Sequence, residues 1–229
     1  MPTPREQILA GPTPIAQLKK DGATNQQLAD HLFINYLAYA KKHWQYIASS
    51  QAGGDDLLSG KSTSAPCGGL AKGLKSMLEN DAGIPTTDIE YITISGYVWT
   101  KPNYLCFDPL VVGNVRGTND RNYANGCVFN EHYYLRCGAK FYDPCLSSNY
   151  AVRDECVLMK PVVLFKGEFM QSPDKQTVLM FNKAEKVNGW QQGAWMKMPT
   201  KDFKKHVPQT EIDKLSRISP TFAAFAKTI

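Results

Sequence analysis

The chain has 229 residues, of which 43% are hydrophobic and 21% charged, a composition typical of a globular protein with a full core. Its net charge of +5 is modest, and we read the densest basic stretch, 197–205, as a solvated face. No nucleic-acid partner is therefore expected. No apolar run approaches the roughly 20 residues of a transmembrane helix, so no membrane span is predicted.

The N-terminal sequence and the cysteine content bear on the compartment. A basic region followed by an apolar one is not seen at the N-terminus, so no signal peptide is predicted. We expect a cytoplasmic protein, or one secreted by a signal-independent route. Six cysteines are too few for a small disulfide scaffold, and both bridges and thiols remain open for them. No cofactor or metal is expected.

The first part of the sequence predicts helices. Pro14 suits a first helical position and Gly22 a helix end, while apolar residues recur at helical spacing beyond them. A later glycine- and serine-rich stretch predicts a loop. The predicted elements are an arm at 1–25 with one short helix, a long helix at about 25–49, a loop at 51–64 and a second helix at about 66–80.

From residue 88 onward the sequence is rich in β-branched and aromatic residues, interrupted by proline, glycine and asparagine. Helices followed by an antiparallel sheet indicate an α+β fold. The predicted strands lie near 89–99, 109–115, 127–136, 140–143, 161–166 and 178–181, and helices follow near 200–206 and 209–227, where Pro220 starts a separate last turn.

Cys67 follows Pro66 in the first turn of the second helix. A thiol attacks as its thiolate, and the partial positive charge of a helix N-terminus favours that anion. The N–H groups of Cys67 and Gly68 are candidates to bind an oxyanion, with Asn130 or an amide of the preceding loop as a second donor. The other five cysteines lie in strand-like or turn-like segments. Taken alone, Cys67 is as well explained as a buried hydrophobe.

The segment 126–145 predicts a hairpin that supplies partners for this thiol. With a two-residue turn at Cys137-Gly138, the numbers of two facing residues add up to 275. His132 then lies opposite Asp143 on the same face. Asp143 then orients the imidazole, and the second ring nitrogen takes the proton from Cys67. His31, His43 and His206 lack such a partner, and Asp108 has no histidine paired with it; a surface His–Asp pair without a role is the alternative.

A helix-borne cysteine, a strand histidine and an aspartate followed by proline together resemble the transglutaminase-like group of papain-fold enzymes. The matching residues are Cys67 in Ser64-Ala-Pro-Cys-Gly-Gly-Leu70, His132 in Asn130-Glu-His-Tyr-Tyr134 and Asp143 in Lys140-Phe-Tyr-Asp-Pro144, within about 60–165. The residues flanking Cys67 depart from the aromatic or glutamine neighbours frequent in that group.

The resemblance implies a papain-like core at 61–166, with an N-terminal helical extension at 1–60 and a C-terminal strand and helices at 167–229, in one compact domain. It implies a Cys-His-Asp cysteine hydrolase: a peptidase, amidase or protein-glutamine deamidase that forms a thioester. Transglutaminases and other acyltransferases belong to the same group, as do bacterial toxins and effectors. The expected partners are a protein or peptide substrate and, for a toxin, an inhibitor or immunity protein.

Three other functions are weighed against this one. Residues 15–31 read superficially as helix–turn–helix, but the second helix has no basic edge for phosphate contacts. A zinc site of His132, Cys137, Asp143 and Cys145 lacks a Cys-x-x-Cys pair, and alternate strand faces divide its ligands. A non-enzymatic interaction protein on a papain-like scaffold is the third.

Overall fold

The structure, a computed structural model, is an α+β fold in which helices precede most of the strands. It describes residues 2–47, 50–94, 98–101, 121–123, 126–129, 131–159, 162–164, 167–171, 177–182, 186–187, 190–191, 194–207, 209–218 and 220–229.

The helices of the described residues fall into an N-terminal and a C-terminal group. They are α1 (Pro4–Leu9), α2 (Ile15–Lys20), α3 (Asn25–His43), α4 (Gly54–Ser59), α5 (Cys67–Asn80), α6 (Phe203–His206), α7 (Gln209–Ile218) and α8 (Pro220–Ala226). Single 3₁₀ turns lie at Thr86–Asp88 and Thr200–Asp202. Within the described ranges, no helix combines the length and apolar character needed to cross a bilayer.

The described strands form several small sheets. They are β1 (Gln45–Tyr46), β2 (Ser64–Ala65), β3 (Ile89–Ile94), β4 (Val98–Thr100), β5 (Arg121–Tyr123), β6 (Gly126–Phe129), β7 (His132–Cys137), β8 (Lys140–Asp143), β9 (Ser148–Tyr150), β10 (Val157–Met159), β11 (Val162–Leu164), β12 (Gly167–Gln171), β13 (Thr177–Asn182), β14 (Lys186–Val187), β15 (Trp190–Gln191) and β16 (Ala194–Pro199).

The sheet that positions the site is antiparallel, with strand order β3-β7-β8-β9. Two further antiparallel sheets have the orders β10-β4-β6-β5 and β11-β12-β13-β16, β14 pairs with β15, and β1 pairs with β2 in parallel. The main hydrophobic core joins residues of the helices α1–α5 to residues of the first sheet, and residues from both faces of β7 are buried. A second cluster gathers apolar side chains of the C-terminal helices, among them Phe203, Phe222 and Phe225.

The N-terminal helices differ in detail from the prediction. The arm holds two short helices, α1 and α2, because Thr3 opens the first with a capping box. The long helix ends at His43 and not near residue 49. Trp44 is extended there and packs on Tyr36 with ring centroids 5.1 Å apart, and Gln45 then pairs with Ser64.

The predicted loop at 51–64 is wrong in part, because it contains α4. The Asp56 carboxylate accepts a hydrogen bond from the Gly53 N–H at 2.9 Å, and Gly60 ends the helix at φ 80°. A Cβ on Gly54 would lie 2.3 Å from the backbone nitrogen of Gly73. The glycines that indicated a loop therefore permit close contact between α4 and α5.

Several predicted strands and helices are confirmed within a few residues. The second helix runs over Cys67–Asn80, and Pro220 starts a separate helix, α8. Within the strand predicted at 89–99 the structure describes β3 and β4, and within that predicted at 127–136 it describes β6 and β7. The strand predicted at 109–115 lies outside the described residues.

The hairpin of β7 and β8 is present, but its predicted register is wrong by two residues. Leu135 faces Tyr142 and Arg136 faces Phe141, so facing residues sum to 277 and not to 275. The turn is Gly138-Ala139, and Gly138 adopts φ 60°, a conformation that glycine takes without a steric cost. Because the shift is even, His132 and Asp143 remain on the same face, diagonal to each other.

Candidate active site

Cys67 is the first residue of α5 and is buried, with 4% of its surface exposed. Pro66 is the N-cap, extended at φ −75° and ψ 173°. The first hydrogen bond of the helix runs from the Leu70 N–H to the Pro66 carbonyl, at 3.1 Å. The N–H groups of Gly68 and Gly69 are therefore not used by the helix ladder and point out of its positive end.

The sulfur of Cys67 meets the sheet at the beginning of β7. It donates to the carbonyl oxygen of Glu131 at 3.5 Å, one residue before His132. Side chains alternate along a strand, so His132 and Tyr133 leave β7 on opposite faces, and the Tyr133 ring lies beside Gly68. The thiol therefore lies at the end of the strand and not over its middle.

His132 and Asp143 form a fully buried pair. Their Nε2 and Oδ2 atoms are 2.5 Å apart, and neither side chain is exposed to solvent. The Asp143 carboxylate also accepts from the Leu146 N–H at 3.0 Å and from the Tyr150 hydroxyl at 2.8 Å. Since a buried carboxyl group is stable only when its oxygens are well satisfied, these donors hold Asp143 in position as the hydrogen-bond acceptor of the imidazole.

The other ring nitrogen of His132 has a different environment. Its Nδ1 is buried and, within the described part of the chain, has no hydrogen-bond partner. Because Nε2 carries the hydrogen that bonds the carboxylate, Nδ1 of the neutral ring is an acceptor. An unsatisfied buried polar atom costs about 1–3 kcal/mol. The ring itself is fixed by Phe129, with centroids 4.2 Å apart. An oriented acceptor without a partner is the arrangement of a general base awaiting its proton.

Cys156 is a third buried group beside this pair. Ligand atoms of His132, Asp143 and Cys156 all lie within 4.8 Å of one another, a grouping that could hold a metal ion. Burial, followed by the Asp143 charge, raises the pKa of the Cys156 thiol, which disfavours the thiolate that a metal requires. The oxygens of Asp143 already accept N–H and O–H donors. The observed contacts therefore fit a neutral Cys156 thiol packed beside Asp143 better than a metal centre.

The two faces of β7 divide the zinc ligands weighed from the sequence. Cys137 lies on the opposite face from His132, since the two residues are five positions apart on one strand. Burial and the charges of Asp88 and Asp30 raise its pKa to about 11. Cys67, Cys137, Cys145 and Cys156 are all thiols and not disulfides.

Two tyrosines line the side of α5 next to the sulfur. The Tyr91 hydroxyl donates to the Gly68 carbonyl at 3.3 Å, and the Tyr133 hydroxyl donates to the Glu131 carboxylate at 2.5 Å. The hydrogen bond that its hydroxyl donates to Glu131, together with burial, raises the pKa of Tyr133 to about 12. Burial, then the charge of a Cys67 thiolate, raises the pKa of Tyr91. Both phenols are therefore neutral at physiological pH.

The structure thus brings His132 and Asp143 together. It places the Cys67 sulfur against the carbonyl of Glu131, the residue that precedes His132. Asn130, the expected second oxyanion donor, lies outside the described residues, as does Asp108. Two of the rival histidines have structural contacts: His31 Nε2 lies 2.7 Å from the Thr13 carbonyl oxygen, and the His43 ring lies against Tyr39. The side chain of the third, His206, is outside the described part of the chain.

Sequence reasoning missed four groups around the site. Tyr150 and Cys156 reach Asp143 only because the chain after the hairpin folds back on it, which no local pattern indicates. The sequence predicts strands for Tyr91 and Tyr133 but not their place beside the thiol. The position of Tyr133 next to His132 is the one signal for it. No family model, curated protein or solved structure matches this chain.

Proposed function

We propose that this protein is a cysteine-dependent amide hydrolase with a papain-like, transglutaminase-like core. Cys67 is the nucleophile, His132 the general base and then the general acid, and Asp143 the group that orients the imidazole. The observation that carries the proposal is the buried Nδ1 of His132, an acceptor without a described partner. The ring that bears it is fixed by Asp143 and lies one residue from the carbonyl that the Cys67 sulfur contacts.

The proposed reaction has two stages. The Cys67 proton moves to Nδ1 of His132, the sulfur bonds to the amide carbonyl carbon, and the negative oxygen is met by N–H groups at the start of α5. The C–N bond then breaks, and His132 gives its proton to the leaving nitrogen. In the second stage a water, deprotonated by His132, attacks the thioester carbon. The carboxylic acid leaves and the Cys67 thiol is restored.

Hydrolysis or deamidation of a peptide or side-chain amide is our first choice for the second stage. Replacement of the water by an amine gives acyl transfer through the same thioester, so transglutaminase activity is the second choice. Both use a protein or peptide as the acyl donor.

The first test is acylation of the thiol. The wild-type protein is expected to form an acetyl thioester on Cys67 with p-nitrophenyl acetate, found by peptide mass spectrometry, and to release ammonia from glutamine peptides or expose new amino termini in a denatured protein. Cys67→Ala should abolish both signals and remain folded. His132→Gln should slow acylation about 100-fold or more, because the proton acceptor is lost.

Cys137→Ala is the matched control, because Cys137 is a buried thiol on the opposite face of β7 and should leave acylation of Cys67 intact. Full activity of the Cys67→Ala variant contradicts the proposal, and so does an acylation rate that is unchanged in His132→Gln.

A further inference from the structure

The surroundings of the Cys67 sulfur are exposed on one side. Cys67 is buried, but Gly68, Tyr91 and Tyr133 are half-buried and Glu131 is exposed. These residues adjoin one another, since Tyr91 and Tyr133 both approach Gly68 and the Glu131 carbonyl contacts the sulfur. Within the described part of the chain, a substrate can approach the thiol over this aromatic side.

The chemistry of this side is that of a cation-binding surface. The rings of Tyr91 and Tyr133 lie side by side, with centroids 5.6 Å apart and an interplanar angle of 32°. The Glu131 carboxylate is anchored at their edge by the Tyr133 hydroxyl. Ring faces carry a negative quadrupole and attract an ammonium or guanidinium group, and an adjacent carboxylate adds a full charge.

Among the residues that the structure describes, no Lys or Arg neutralises the charge of Glu131 by forming an ion pair with it. Glu90, one strand away, differs: it lies 3.6 Å from Arg136 and 3.2 Å from Arg153. The raised pKa values of Tyr91 and Tyr133 agree with a negative field here, since the Glu131 and Cys67 charges contribute to both. This field is local, because the whole chain carries a net charge of +5.

We infer that Tyr91, Tyr133 and Glu131 form a subsite for a positively charged side chain, lysine or arginine, next to the amide that Cys67 attacks. The inference rests on the proposed function and names its substrate class: basic peptides or basic protein segments as acyl donors. Glu131 acts as a specificity-determining residue and takes no part in bond making.

The first experiment measures the field at the sulfur without a substrate. The intact protein is treated with a cationic and an anionic methanethiosulfonate of similar size, and modification of Cys67 is followed by peptide mass spectrometry. The cationic reagent should react faster by about tenfold. Glu131→Gln should bring the ratio of the two rates close to one. Glu90→Gln is the matched control, because it removes a carboxylate already paired with two arginines and should leave the ratio unchanged.

The second experiment compares peptides that differ only in lysine, glutamine or glutamate beside the scissile amide. The lysine peptide should have the highest kcat/KM, and Glu131→Gln should remove most of that advantage. Tyr133→Phe, which keeps the ring and releases the carboxylate, should remove part of it.

The outcomes separate the two proposals. Equal turnover of the lysine and glutamate peptides, with Cys67 still required, overturns the subsite and leaves the proposed function standing. An equal or inverted reagent ratio in the wild-type protein also overturns the subsite. Absence of Cys67-dependent turnover for every peptide overturns the proposed function, and the reagent ratios then decide the charge preference of the surface alone.

Discussion

At the scale of single residues, the site depends on how one carboxylate is held. Asp143 accepts from the ring of His132, the backbone of Leu146 and the hydroxyl of Tyr150, all in the protein interior. Each of these hydrogen bonds restricts the rotation of the Asp143 carboxylate. The imidazole is in turn pressed against Phe129. The imidazole of His132 is thus oriented by buried contacts and not by a surface ion pair, which would contribute little.

Asp143→Asn should therefore weaken both the fold and the site. The amide matches the carboxylate in size but presents an N–H₂ group to donors that need an acceptor, so we expect the free energy of unfolding to fall by about 2–4 kcal/mol. Acylation of Cys67 should slow as the imidazole loses its orientation. Urea denaturation and the acylation rate measure the two effects.

Asp154→Asn is the control for that change. Asp154 also accepts from a tyrosine, Tyr134, at 2.5 Å, but it is only partly buried, and asparagine tolerates its φ of 58°. Its loss of stability should be about 1 kcal/mol or less. Equal losses in the two variants would contradict the role given to Asp143.

At the scale of elements, the position of Cys67 depends on the packing of α5 against α4. The two helices approach so closely that a Cβ on Gly54 would overlap the backbone of Gly73. Backbone atoms cannot move aside as a flexible side chain can. The start of α5, which bears Cys67, is thus positioned by contacts six residues further along the helix, at Gly73.

Gly54→Ala should separate the two helices. Overpacking of this kind costs about 1–3 kcal/mol or more, and the same displacement should slow acylation of Cys67. The neighbouring change Gly53→Ala is a matched control: of the described residues, its Cβ would approach the Asp56 carboxylate alone, at 3.7 Å, and its φ of −84° suits alanine. Thermal unfolding of the two variants side by side should show a large shift only for Gly54→Ala; similar shifts would refute the contact.

The hairpin shows which parts of the site the sequence could predict. The alternation of side chains along the strands and the Asp143-Pro144 pair were sufficient to predict β7 and β8. They also predicted that His132 and Asp143 lie on the same face. The register was missed because either Cys137-Gly138 or Gly138-Ala139 can form a two-residue turn, and the choice depends on where Gly138 takes its positive φ. The sequence does not reveal α4, because its glycines permit a close contact with α5. Gly54 and Gly73, which meet there, are 19 positions apart, and local patterns do not indicate a contact between residues so far apart.

At the scale of the whole molecule, the described core contains several buried phenols and thiols. Burial raises the pKa of several of them, so they remain protonated in the native state. The groups are Tyr36, Tyr134, Tyr142, Tyr150, Cys137 and Cys156.

The protein should therefore lose stability in alkali. In the unfolded chain the thiols titrate near 9.0 and the phenols near 10.0, whereas the native chain retains these protons to higher pH. The native state then binds more protons, so the free energy of unfolding falls as pH rises above about 9. Urea midpoints measured from about pH 8 to about pH 11 should decrease steadily.

Cys137→Ala tests the assignment, because it removes a group whose native pKa is about 11. The variant should be less stable than the wild type near pH 8 and should have a shallower slope between about 9 and about 11, so that the two profiles converge in alkali. A flat profile in the wild-type protein would contradict the buried neutral state.

The contact between the Cys67 sulfur and the Glu131 carbonyl joins parts of the chain 64 positions apart, whereas the His132–Asp143 pair closes over only 11. By chain entropy, the longer closure costs about 1.5 kcal/mol more. The His132–Asp143 pair can thus form early, with its own hairpin, while the Cys67 contact forms only when the helical layer docks. A destabilised chain should lose the Cys67 contact first and keep the pair, so the proposed acylation of Cys67 should be lost before global unfolding.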